Sequence, residues 1–200
     1  MLKLYYAPRT RSVRIRWLLE ELGIAHELAR VEFRPAETAF AQSTPLGKFP
    51  VLEDGDVVIG ESGAILEYIL ERYGDGRLAP PIGSPLRGPF LQWVHFAEGT
   101  AFPPLGVIIW HGLYRGDADQ IPIAIDAARS RASSALDVVE HNLNGRAYLL
   151  GDEFCAADIM LGFTLAAAQL VGVLDERYPR TAAYLGRLIE RPAFVRASAD

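Results

Sequence analysis

Two hundred residues, half of them hydrophobic, are enough for one domain or two small ones with buried cores. A formal net charge of −5 and a pI of about 5.4 exclude an overall field that would draw the chain to nucleic acid or to an anionic membrane. A single cysteine, Cys155, excludes an internal disulfide and a cysteine-rich metal site and suits a reducing compartment, so a cytoplasmic protein is expected.

The opening MLKLYYAPRT has no apolar run long enough for a signal peptide. Residues 2–6 read as a strand, and from Ser12 a helical pattern places Ile15, Leu18, Leu19 and Leu22 on one face before Gly23 stops it. Between them lie Thr10 and Ser12 among four arginines, Arg9, Arg11, Arg14 and Arg16. In a chain of negative net charge, that cluster is either a solvated helix face or the surround of something anionic. Arg14 and Arg16 are assigned to the helix surface or a subunit contact, with Arg16 able to meet Glu20 one turn on. Arg9 is expected in solvent.

Residues 26–33 are a second strand candidate and residues 35–42 a short helix. Residues 50–52 and 57–59 flank EDGD, an Asp54-Gly55 hairpin signal. Ser62 then caps a helix with Ile65, Leu66, Ile69 and Leu70 as its apolar stripe. The order is βαβαββα. Next, APPIGSPLRGP holds four prolines and two glycines and reads as a linker over 77–89 running into a helix start. The expected division is therefore an α/β domain over 1–76 and an all-helical domain over 90–200.

Within 90–114 a long helix must kink or split at Pro103-Pro104, where two backbone donors are missing. Further helices are expected over 118–143, 156–173 and 179–189. Residues 159–174 are the most apolar stretch, but Thr164, Gln169 and two glycines interrupt it. It is shorter than the ~20 residues a membrane span requires, and a buried core helix is expected. His111 has no partner at metal-ligand spacing, so no metal site is expected.

GKFPVLEDGDVVIGES, residues 47–62, is the most informative stretch. A proline at a strand start cannot donate to the ladder. A cis Phe49-Pro50 bond would turn the Phe49 backbone outward to pair with an extended peptide ligand; a trans bond would make an ordinary strand start. At Glu61-Ser62, a hydroxyl and the first N–H groups of a helix favour a carboxylate beside a residue that favours a cation. That is the charge pattern at the α-carbon of an amino acid or a γ-glutamyl group, although a plain serine cap with a solvated glutamate has the same sequence.

These motifs, with the linker, the helical second half and LLGDEFCAADIMLG over 149–162, resemble the soluble glutathione transferases over nearly the whole length. The resemblance implies a thioredoxin-like first domain, a cis Pro50, and pairing of the Phe49 backbone with the cysteinyl part of glutathione. It implies that Glu61 and Ser62 hold the γ-glutamyl end, with Lys48, Arg34 and Gln42 as candidates for the glycine carboxylate. It also implies a homodimer. Where Cys155 stands the family usually has Ser or Thr, followed after three residues by an acid, here Asp158. That pair forms a capping box, in which a cysteine is the weaker acceptor.

A thiol of pKa ~8.5 needs help to ionise near neutrality. A donated hydroxyl, a cation and a helix N-terminus each favour the thiolate. Tyr5 matches the tyrosine of alpha, mu and pi enzymes. Thr10, four residues before Arg14, matches the serine of theta and phi enzymes; the beta enzymes' cysteine is absent. Thr10 is the first choice, then Tyr5, then Ser12, with Arg11 as the cation near the sulfur. Trp93, Phe96, Phe102, Trp110 and Tyr114 supply aromatic surface, and Phe102, Trp110 and Tyr114 are the expected pocket for a small apolar electrophile between the loop and the helical domain.

The expected activity is conjugation of glutathione, as co-substrate, to such an electrophile. A glutathione-dependent isomerase or peroxidase, or a noncatalytic interaction module, shares the same features.

Overall fold

The computed structural model describes residues 1–31, 44 and 46–199. Arg34, Gln42 and the helix expected over 35–42 lie outside them. The chain forms two compact units: Met1–Pro81 together with the chain's end from Glu190, and Ile82–Ile189.

In the first unit, β1 (Leu2–Tyr6) alternates as a half-buried strand should, with Leu2, Leu4 and Tyr6 inside. The helix α1 (Ser12–Leu22) stops at Gly23, whose φ of 67° gives the left-handed cap that glycine adopts without strain. It is the crossover that lets β2 (His26–Arg30) run parallel to β1. The strands β3 (Val51–Asp54) and β4 (Val57–Gly60) form the expected hairpin, and α2 (Ser62–Tyr73) follows. The sheet order is β2-β1-β3-β4, with β3 antiparallel to both neighbours. Ile65, Leu66, Ile69 and Leu70 of α2 are buried, as the stripe requires.

The helical domain expected through residue 200 is corrected at its end. The last residues, including α8 (Pro192–Ser198), pack on α1 and belong to the first unit. The reason is a second apolar face on α1. Trp17 is fully buried, its ring edge-to-face with Phe194 at 4.8 Å. Glu21 accepts from Arg191 at 2.6 and 2.9 Å and from Trp17 Nε1 at 2.9 Å. Arg16 does not meet Glu20. It donates to the Ala199 carbonyl at 2.7 Å with its guanidinium over the Tyr6 ring, while Glu20 pairs with Arg196.

In the second unit, α3 (Arg87–Phe96) leads through a π-helical turn, Ala97–Ala101, into α4 (Phe102–Ile109) and a second π turn, Trp110–Arg115. Pro103 and Pro104 sit in the first turn of α4, and the wide turn before them accommodates the missing donors. The helix expected over 118–143 is divided: a 3₁₀ turn, Ala118–Gln120, precedes α5 (Pro122–Asn142), because Ile121 before Pro122 takes a φ of −132°. Then come α6 (Ala156–Leu170) and α7 (Pro179–Ile189).

A capping box opens α6. Asp158, fully buried, accepts from the Cys155 N–H at 2.8 Å, the Leu149 N–H at 3.0 Å and the Tyr184 hydroxyl at 2.6 Å. No helix among the described residues is long and apolar enough to cross a membrane.

Candidate functional site

The loop between β1 and α1 is built on two hydroxyls and one peptide unit. Ser12 is fully buried; its Oγ accepts from the Ala7 N–H at 3.1 Å and lies 2.9 Å from the Ala7 carbonyl. Thr10 Oγ1 lies 2.7 Å from that carbonyl and 2.7 Å from Ser12 Oγ. Two protons thus serve three oxygen–oxygen contacts. Either hydroxyl alone satisfies the Ala7 carbonyl, so Thr10, the partly exposed one, can turn its proton to a ligand without leaving a buried acceptor unpaired.

The Tyr5 hydroxyl is engaged elsewhere. It donates to Glu53 at 2.9 Å, and that bond, with burial, pushes the phenol above its usual pKa. Arg9 is exposed with a φ of 60°, and Arg11 is partly buried at the N-cap position of α1.

Thr44 shapes the second element of the site, although no motif in the sequence marks it. Its Oγ1 accepts from the Lys48 N–H at 3.0 Å and donates to the Lys48 carbonyl at 3.1 Å, closing the turn that presents Lys48 and Phe49. The Phe49-Pro50 peptide bond is cis. Lys48 meets Glu61 at 3.3 Å, with both side chains exposed. Glu61 holds a φ of 64°, a left-handed conformation that costs a non-glycine residue on the order of 1 kcal/mol or more.

Ser62 is the first residue of α2 and does not serve as its cap; that position is Glu61. The Ser62 hydroxyl accepts from Arg14 Nη1 at 3.1 Å. The surface expected for Arg14 is corrected: it is fully buried, because α1 turns that face toward α2. Only its spacing from Thr10 marked it in the sequence.

In the helical unit Phe102 is buried at 8% exposure and stacked on Phe163 at 6.1 Å. Trp93 is likewise buried. Trp110 and Tyr114 are exposed, their rings 6.0 Å apart on the second π turn. His111 Nδ1 contacts Asp117 at 2.7 Å, and among the described residues no group of three or more His, Cys, Asp or Glu is arranged to hold a metal. Burial, then Asp158, push the Cys155 thiol well above its usual pKa, the opposite of a reactive cysteine.

Comparison with known proteins agrees over both units. The family model for the glutathione S-transferase N-terminal domain matches residues 1–71, and that for the C-terminal domain matches residues 122–187. A glutathione S-transferase-like protein, OpS6, from Beauveria bassiana is 32% identical, covering 91% of this chain and 87% of its own. Glutathione S-transferase 3 of Zea mays is 30% identical, covering 99% and 93%. Among solved structures, a glutathione transferase from Methylococcus capsulatus superposes with a TM-score of 0.85 at 29% identity over 99% and 97% of the two chains. A family member from Pseudomonas fluorescens, with two glutathione bound, gives 0.85 at 26% over 98% and 92%. Matched in both units and along nearly its whole length, the chain belongs to the glutathione S-transferase family.

Proposed function

We propose that the protein is a glutathione transferase that binds glutathione as its thiolate and conjugates it to a small apolar electrophile. The observation that carries this reading is the redundant pair of hydroxyls at Ala7. Thr10 donates to the sulfur while Ser12 keeps the Ala7 carbonyl satisfied. The N-terminus of α1 adds its dipole, and Arg11, at the N-cap position, adds a positive charge. Together they lower the thiol pKa and raise the thiolate fraction near neutrality.

Ser62 and the first N–H groups of α2 take the γ-glutamyl carboxylate, Glu61 the ammonium, and the Phe49 backbone the cysteinyl unit. Lys48 releases Glu61 and turns to the glycine carboxylate. Trp110 and Tyr114 offer aromatic surface for the electrophile. The reading includes a cytoplasmic homodimer, which sedimentation of the purified chain checks.

The experiment is a rate measurement with glutathione and a panel of an aryl halide, an α,β-unsaturated carbonyl and an organic hydroperoxide. Conjugation of either of the first two supports the reading. Turnover of the hydroperoxide alone makes the protein a peroxidase, and binding with no turnover makes it an interaction module.

A further inference from the structure

Arg14 and Ser62 form a buried pair whose chemistry is directional. Ser62 is 3% exposed, and its oxygen accepts from a guanidinium that is itself fully buried. A guanidinium has no lone pair to offer in return and stays charged at every relevant pH. The Ser62 oxygen is therefore committed as an acceptor toward α1, and its proton must point elsewhere. Among the described residues no acceptor takes it. The unspent donor lies at the first residue of α2, a helix of twelve residues, where the first-turn N–H groups also lack helical partners.

We propose that Arg14 is a positioning residue that determines specificity for an α-carboxylate. By occupying the Ser62 lone pair it makes Ser62 an obligate donor, and it supplies fixed positive charge behind that donor in a low-dielectric setting. The proposal rests on the reading that glutathione's γ-glutamyl end binds at Glu61-Ser62. Arg14 acts through Ser62 and touches neither the sulfur nor the electrophile. Its effect is confined to ligands that carry the carboxylate.

The test compares glutathione with its analogue lacking the γ-glutamyl α-carboxylate, 4-aminobutanoyl-cysteinylglycine, by calorimetric titration of the parent, Arg14→Gln, Arg14→Lys and Ser62→Ala. The parent is expected to prefer glutathione. Arg14→Gln is expected to lose about 10- to 100-fold in glutathione affinity with little change for the analogue, the range for one charge-assisted hydrogen bond. Arg14→Lys is expected to recover part of that loss. In a Ser62→Ala background the effect of Arg14→Gln is expected to shrink, because the residue it acts through is gone.

Equal losses for both ligands, or no loss for either, overturn the proposal. If Arg14→Gln does not fold, Arg14→Lys decides by the same comparison of ligands. A parent that binds glutathione and analogue equally overturns the carboxylate role while leaving glutathione binding in place. A parent that binds neither overturns the reading beneath it as well.

Discussion

Thr10 Oγ1 and Ser12 Oγ stand 2.7 Å apart and share one acceptor, the Ala7 carbonyl. The two hydroxyls are similar in chemistry and different in placement. Ser12, fully buried, also takes the Ala7 N–H and cannot leave without orphaning it. Thr10 has surface to turn toward.

Ser12→Ala removes the acceptor of a buried N–H, which costs about 1–3 kcal/mol. Among the described residues Thr10 is then the one side chain left for the Ala7 carbonyl. The urea midpoint is expected to fall, and the pKa of bound glutathione to rise, because the proton that served the sulfur is drawn back.

Glu61→Gly separates folding from binding. Glycine relieves roughly 1–3 kcal/mol of left-handed strain but loses about 0.5–1 kcal/mol through its freer unfolded chain. Folding stability is expected to stay near the parent's or rise slightly, while glutathione affinity falls at least tenfold. Denaturation and calorimetry on one preparation measure both.

Cys155→Ser puts a stronger acceptor at the N-cap of α6, opposite Asp158, whose carboxylate already takes the Cys155 N–H. A rise in stability is expected, a fraction of the ~0.5–2 kcal/mol that a whole N-cap contributes, read as a higher melting temperature. In the parent, burial and the Asp158 charge keep the thiol protonated. It is expected to react with a thiol reagent only when the helical unit unfolds.

Asp54 gives a pH dependence. It accepts from Tyr73 and Tyr68, and Arg72 lies 3.3 Å away, which holds its carboxyl below the usual range. A folded-state pKa below the unfolded value of ~3.9 means that the unfolded chain binds the proton first. This contribution to stability is complete above about pH 4 and is lost as pH falls through the folded value. The urea midpoint of the parent is expected to fall below pH 4 more steeply than that of Asp54→Asn.

The helix α2 and the β3-β4 hairpin were legible because each depends on local pattern: the apolar stripe of the one and the Asp54-Gly55 turn of the other. The return of α8 to α1 was not, because it depends on a second apolar face of α1, at Trp17, whose partner Phe194 lies far away in sequence. Charge misled in the same way. Arg14 and Arg16 follow a helical spacing that fits a solvated face, yet one is buried beside Ser62 and the other is spent on the chain's end. Lys48, Phe49, Glu61 and Ser62 were legible as motif residues. Thr44, which sets their turn, belongs to no motif and acts through hydrogen bonds to the backbone of Gly47 and Lys48.

The most direct test of the account is the pKa of bound glutathione, from thiolate absorbance against pH, in the parent, Thr10→Ala and Tyr5→Phe. If Thr10 holds the thiolate, Thr10→Ala raises that pKa by about one to two units, the share of one hydrogen bond to a charged group. Tyr5→Phe, which loses the bond to Glu53, leaves it where it was. A pKa unmoved by Thr10→Ala, or raised by Tyr5→Phe, would contradict the account.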